Sequence, residues 1–211
     1  MESRIDLLTG RPAEEVGRPR ERADAARNRT KVLTAAAELF AARDPRSVTM
    51  DDIAKAAGVG RGTLYRRYPD TVSIAQALLD EHERALQERL LRGDPPLGPG
   101  AAAGDRLAAF YRAMVELLEA HTPLVLGAEQ GEKRFATGAY GFWRAHVRTL
   151  LTHANIGEPD TLVDILLAPL GPDVYTEQRR QGLTPEQITN ALTHLAHMVT
   201  REPQQTGGSA R

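Results

Sequence analysis

The chain has 211 residues, a formal net charge of −1, no cysteine and only 5% aromatic residues. That length admits one large domain or two small ones, and an Ala- and Leu-rich, aromatic-poor composition favours helices over a sheet sandwich. Without cysteine there is neither disulfide nor thiolate chemistry; the polar amino terminus lacks the apolar core of a secretory signal, and no apolar run approaches the ~20 residues that span a bilayer, so a cytoplasmic protein with no membrane partner is expected.

Residues 1–22 contain Gly10, Pro12, Gly17 and Pro19 among mixed charges and read as a flexible arm. A helix is predicted from about Ala23, because Val32, Leu33, Ala36, Leu39 and Phe40 recur at helical spacing. Asp44-Pro45 ends it, since proline restricts the residue before it; Asp44 is expected near the C-cap in a left-handed conformation. Thr49 is a natural N-cap, with Asp52 three residues on to reach back in a capping box. A short helix from Met50 to Ala57 follows, Gly58 breaks it, and residues 60–67 form the next. After Pro69-Asp70 a long amphipathic helix is predicted over 71–92, with Ile74, Ala77, Leu78, Ala85 and Leu86 on one face.

Gly93 to Gly100 is rich in proline and glycine and reads as a loop. Helices are then expected over about 104–120, in a short piece near 122–130, and over 137–154. Residues 158–180 read as one helix kinked by Pro169, Gly171 and Pro172. Thr184-Pro185-Glu186-Gln187 is a strong helix start, opening a final helix to about Thr200. Residues 202–211 read as a disordered tail. The expected organisation is an arm over 1–22, a first domain over 23–70, a helical domain over 71–201, and the tail; the fold class is all-α.

The two short helices carry the most specific signal. Ala54 is small where two helices must cross closely, Gly58 suits a turn residue at positive φ, and Ile53, Ala57, Val59 and Leu64 fall on the inner face. That is the pattern of a helix-turn-helix, although a generic helical hairpin would also satisfy it. The outer face of the second helix favours DNA. Arg61, Gly62 and Thr63 stand at its N-terminal end, the part that meets base edges in this motif. Arg61 suits a bidentate contact to guanine, Gly62 permits close backbone approach, and Thr63 suits a thymine methyl or a phosphate. Tyr65, Arg66, Arg67 and Tyr68 suit phosphates, which fix position rather than sequence. Arg67 reads equally well as a solvated surface residue. Thr49 and the start of its helix are candidates for a further phosphate, and Arg27 and Arg29 for the backbone or minor groove. The charge distribution agrees in sign: residues 1–70 hold 14 Lys/Arg against 11 Asp/Glu, and residues 71–211 hold 13 against 17.

From about Arg29 to Asp80 the chain resembles the TetR family of bacterial transcriptional regulators. The resemblance rests on Val32-Leu33-x-Ala35-Ala36-x-x-Leu39-Phe40, on Val48-Thr49-x-x-x-Ile53-Ala54-x-x-Ala57-Gly58-Val59, and on Gly62-Thr63-Leu64-Tyr65-x-x-Tyr68-Pro69-Asp70. It implies about nine helices, a homodimer, and repression relieved by a small ligand. Three positions depart from the family pattern. Asp44 and Gly60 stand where the family has Gly and often Ser, and Thr71 stands where it usually has a phosphate-contacting Lys. Thr71 keeps a hydroxyl donor without the charge, so the salt dependence of DNA binding is expected to fall by roughly one phosphate contact.

Other chemistries find little support. Gly58-Val59-Gly60-Arg61-Gly62 lacks the lysine and the preceding strand of a phosphate loop. His194 and His197 have no further ligands at metal spacing, and His82-Glu83 lacks the second histidine of a zinc-protease helix. No nucleophile, metal cluster or carboxylate pair argues for catalysis, so neither enzyme activity, metal nor cofactor is expected. If the family resemblance extends to the helical domain, an effector cavity is implied, with Leu86, Phe110, Met114, Leu118, Phe135, Phe142 and Trp143 as apolar candidates. His121, Gln130, Tyr140, Arg144 and His146 are the polar ones. The same residues would equally serve as ordinary core. With no basic cluster, a hydrophobic or aromatic effector is expected. The last two helices, about 159–181 and 184–200, carry Leu162, Ile165, Leu166, Leu170, Val174, Ile188, Leu192, Leu195 and Val199 and suit a C2 dimer that reads a pseudo-palindromic operator. The alternatives are an activator or ligand-blind DNA-binding protein, and a helical small-molecule-binding protein or enzyme whose hairpin is structural.

Overall fold

The computed structural model describes residues 13–122 and 138–201, with side chains from residue 23. Among them are nine α-helices and no strand: α1 Ala13–Ala42, α2 Met50–Ala57, α3 Arg61–Arg67, α4 Thr71–Arg92, α5 Ala103–His121, α6 Gly138–His153, α7 Pro159–Leu167, α8 Pro172–Arg180 and α9 Pro185–Val199. The chain divides into two units, residues 1–78 and 79–211. The division falls eight residues beyond the predicted boundary at residue 70, because Ile74 and Leu78 in the first turns of α4 belong to the core of the first unit.

That core is built from Val32, Leu33 and Ala36 of α1, Val48, Met50, Ile53, Ala54 and Ala57 around α2, and Leu64 and Tyr68 of the α3 region. Each lies on the stripe that helical spacing dictates. The capping box is present as expected: the Thr49 hydroxyl accepts from the Asp52 N–H at 3.2 Å, and the Asp52 carboxylate accepts from the Thr49 N–H at 3.1 Å. Gly58 closes α2 at φ 63, ψ 35, a left-handed position that disfavours any side chain with a Cβ.

Two expectations in this unit change. The first helix begins at Ala13 rather than about Ala23; Ala, Glu and Arg dominate that stretch, and their helix propensity outweighs Gly17 and Pro19 as breakers. Asp44 is not left-handed. It sits at φ −50, ψ 116 as the N-cap of a 3-10 turn over Pro45–Ser47, its carboxylate accepting from the Arg46 N–H at 3.0 Å. The arm over residues 1–12, the piece near 122–130 and the tail over 202–211 lie outside the described residues.

In the second unit α5 is the central helix, buried along most of its length and packed most extensively on α9. Gly104 permits that approach: a Cβ there would collide with the Thr200 hydroxyl and crowd the His197 ring. Tyr111 donates to the Leu166 carbonyl at 3.0 Å, tying α5 to α7. The predicted kinked helix over 158–180 is instead broken into α7, a 3-10 turn over Ala168–Leu170, and α8. Pro169 and Pro172 have no N–H to continue the ladder, and Gly171 is extended at φ −62, ψ 130, so Pro172 starts a new helix at its first position. Thr184 and Gln187 form the expected second capping box.

Candidate nucleic-acid interface

Burial sorts the second helix of the hairpin into two faces. Leu64 and Tyr68 point into the core, 1% and 6% exposed. Arg61, Gly62, Thr63, Tyr65 and Arg66 are exposed on the other side. Tyr68, expected to meet phosphate, is therefore a core residue, because the helical period places it with Leu64. Tyr65 is half exposed with its ring outward. Nothing lies within 4 Å of where a Gly62 Cβ would stand, so no internal packing requires glycine there and the open surface is available to a partner.

Arg61 forms an ion pair with Asp51 in the first turn of α2, Nη2 to Oδ2 at 2.8 Å. The pair is largely solvated and contributes little to stability, but it holds one arm of the guanidinium fork while other donors remain free. Asp51 was missed in the sequence, where no periodicity links it to a residue on another helix. Arg66 lies within 3.5 Å of the Thr63 hydroxyl. Arg67 turns back toward α1, donating to the Ala25 carbonyl at 3.4 Å and standing 5.9 Å from the Tyr68 ring centre. Arg67 is thus exposed and also ties α3 to α1.

One expected phosphate contact, Thr49, is engaged internally. The Thr49 hydroxyl also donates to Asp52 at 2.8 Å, and Arg43 caps the same carboxylate at 2.7 Å. The Thr49 bonds, more than Arg43, hold the Asp52 carboxyl below its usual range. Asp51 and Asp52 both stand in the first turn of α2, beside the Thr49 hydroxyl. Thr71 is half-buried at the start of α4, where Asp70 accepts from the Ser73 N–H and hydroxyl at 2.7 and 2.6 Å. Arg27 is exposed on α1 and paired with Asp24.

The candidate effector residues mostly fill the core. Phe110 stacks against Trp143 at 5.8 Å and His146 at 5.3 Å, and Met114, Leu118 and Leu86 are buried. His121, 2% exposed, shares a hydrogen bond between ring nitrogens with His82 at 2.8 Å. Burial, and then the neighbouring His82, lowers the His121 pKa to about 4. Burial, then Arg106, brings His146 to about 4 as well, and its buried Nε2 has no hydrogen-bond partner. Tyr140 and Arg144 reach Asp164 at 2.9 and 3.1 Å, joining α6 to α7 rather than facing a ligand. Phe142 meets Trp143 edge to face at 5.4 Å and stands half-buried on a groove of about 410 Å³ that it shares with Asp80, Glu83, Arg84 and Gln87. Phe135 and Gln130 lie outside the described residues. Among the described residues no cluster of three metal-ligating side chains occurs, and no helix is long and apolar enough to cross a membrane.

Residues 32–78 match the model of the bacterial regulatory proteins, tetR family. The chain is 36% identical over 78 residues to the HTH-type transcriptional repressor LfrR of Mycolicibacterium smegmatis, covering 37% of this chain and 41% of LfrR. It is 39% identical over 61 residues to an uncharacterised HTH-type transcriptional regulator of Mycobacterium tuberculosis, covering 29% of this chain and 30% of that one. The match thus spans well under half of these relatives' length. Over the whole fold the chain is similar to FadR of Bacillus subtilis, solved in complex with stearoyl-CoA, with a TM-score of 0.57, 20% identity and coverage of 79% of this chain and 96% of that one. A tetR-family regulator of Streptomyces coelicolor gives a TM-score of 0.54 at 20% identity, covering 82% and 79%.

Proposed function

We propose that this chain, whose residues 32–78 match the model of the bacterial regulatory proteins, tetR family, is a TetR-type, ligand-responsive transcriptional repressor that binds a pseudo-palindromic operator as a homodimer. The observation that carries the reading is the exposed face of α3. Arg61, Gly62, Thr63, Tyr65 and Arg66 are presented outward on a helix whose opposite side is locked into the core by Leu64 and Tyr68. In a helix-turn-helix that face enters the major groove. Arg61, braced by Asp51, is the base-reading side chain, and Tyr65 and Arg66 are the phosphate contacts.

A dimer is supported by apolar surface at the end of the chain. The second unit itself buries Leu166, Leu170, Ile188 and Leu192, more of the apolar stripe than the sequence suggests, because α9 lies along α5. Ile165, Val174 and Met198 remain 61%, 38% and 58% exposed on α7, α8 and α9, a surface that a second copy would cover. Effector binding in the second unit would shift the operator affinity of the first by a coupling of about 1–3 kcal/mol.

The test is a DNA-shift titration against promoter fragments adjacent to the gene, with Arg61→Ala as the variant. Loss of one bidentate base contact is expected to cost ~1–3 kcal/mol, a drop of about 10- to 100-fold in operator affinity, with binding to unrelated DNA weakened far less. Unchanged operator affinity would remove α3 as the reading surface.

A further inference from the structure

The groove between α4 and the start of α6 has a composition that the hydrophobic-effector expectation does not account for. One wall is α4, from which Asp80, Glu83, Arg84 and Gln87 line the groove at helical spacing. The other is the first turns of α6, with Gly138, Ala139 and Phe142. Among the described residues nothing lies within 4 Å of a Cβ built on Gly138.

Glu83 is the anomaly. It falls on the inward stripe of α4, four residues after Leu79 and three before Leu86, which are 5% exposed each. It is half-buried, yet among the described residues it makes no hydrogen bond or ion pair. The nearest cation on its own helix, Arg84, pairs instead with Glu81 at 3.3 Å. The residues of α6 that line the groove bring no ionisable group. Asp80, the other acid on this wall, adds like charge. Burial, and secondarily Asp80, raises the Glu83 pKa to about 7.

We infer that this groove takes an organic cation, with Glu83 as its counter-charge and Phe142 as its aromatic wall. The inference rests on the ligand-responsive reading above and names the charge class of the effector. A half-buried carboxylate without a partner is costly when ionised, and a bound cation removes that cost. The face of Phe142 adds a cation–π attraction. An anion would meet the uncompensated Glu83 carboxylate, since the Arg84 that also lines the groove is paired with Glu81, and a neutral apolar molecule would leave Glu83 covered and unpaired. The groove volume of about 410 Å³ suits a small aromatic or tertiary-amine cation rather than a long acyl chain.

The test uses the full chain with thioflavin T, a permanent cation whose charge does not change with pH, beside its uncharged N-desmethyl benzothiazole analogue. Because the competent state is the ionised carboxylate, affinity for the cation is expected to rise about 10-fold between pH 6 and pH 8. The neutral analogue is expected to bind at least 10-fold more weakly at pH 8 and without that pH dependence. Glu83→Gln should remove the pH dependence and leave the cation bound as weakly as wild type at pH 6. Equal affinity at pH 6 and 8, equal affinity for the neutral analogue, or a Glu83→Gln protein with the wild-type pH profile would each overturn the inference. If Glu83→Gln fails to fold, the wild-type pH profile and the charged–neutral pair decide alone. Operator release is measured separately, with Glu83→Gln controlling for dye on the DNA. Release that is undiminished in Glu83→Gln overturns the groove assignment but leaves a ligand response standing. Glu83-dependent binding without release supports the groove and overturns the ligand-responsive reading.

Discussion

The two units differ in how tightly each position is specified. In the first, several positions have a second duty: Ala54 keeps a helix crossing close, Gly58 turns the chain at φ 63, and Leu64 holds α3 so that its far side is exposed. In the second, Leu107, Leu150, Leu151, Val163 and their neighbours fill volume between helices, and any apolar set of matching shape would do so. The tetR-family model matches residues 32–78, within the first unit, while the solved structures of similar fold cover about four fifths of the chain at about 20% identity. A surface that must fit DNA restricts side chains one by one; a helical core restricts only their pattern and total volume.

Paired core substitutions give the largest contrast. Ile53→Ala, at a position with no exposure, is expected to cost ~2–5 kcal/mol and to abolish operator binding, because the cavity lies directly beneath α3. Leu151→Met, equally buried in the second unit, should cost under ~1.5 kcal/mol and leave operator binding intact. Thermal melts and DNA-shift titrations check both, and equal losses would break the contrast.

Acid should separate the units next. All six histidines lie beyond residue 79. His121 and His146 are held neutral, with pKa values of about 4, so between pH 4 and 6.5 the unfolded chain binds more protons. Their contribution is fully present above pH 6.5 and is lost as the pH falls toward 4, on the order of 1–3 kcal/mol in all. Glu83, raised to about 7, acts oppositely, losing stability as the pH rises from about 4.5 to 7. Glu83→Gln should therefore steepen the acid-side loss in a denaturant series at stepped pH, and an unaltered slope would contradict the pairing of these opposed groups.

Two glycines sharpen the comparison further. Gly104→Ala is expected to cost ~1–3 kcal/mol, since Thr200 and His197 must move. Gly62→Ala meets open space and should stabilise α3 by about 0.5–1 kcal/mol, yet weaken operator binding by keeping the backbone from the DNA. The smallest effect belongs to Thr49→Ala, which removes a cap worth ~1 kcal/mol. Because its hydroxyl is committed to Asp52, the salt dependence of DNA binding should not change.

The helices themselves were legible where caps and periodicity agree: both capping boxes, the turn at Gly58, and the spans of α4, α5 and α6 follow from local spacing. The exceptions have local causes too. Pro169 and Pro172 each remove an N–H, and two losses in one stretch break a helix that one would only kink. The groove left a trace in the sequence, an acidic residue between Leu79 and Leu86 on an apolar stripe, but its significance depends on Phe142 arriving from another helix. Likewise Asp51 gains meaning only through Arg61 across the turn.

By itself the sequence determined the all-α class, the helix-turn-helix and the outward placing of Arg61, Gly62, Thr63, Tyr65 and Arg66, because these depend on contacts within a few turns and on the rigid period of a helix. Only the tertiary structure decided which aromatic side chains of the second unit pack on one another, that Arg67 ties back to α1, and that Glu83 has no hydrogen-bond or ion-pair partner among the described residues. Each of those depends on distances between helices remote in sequence, and helical periodicity says which face is apolar without saying what will cover it.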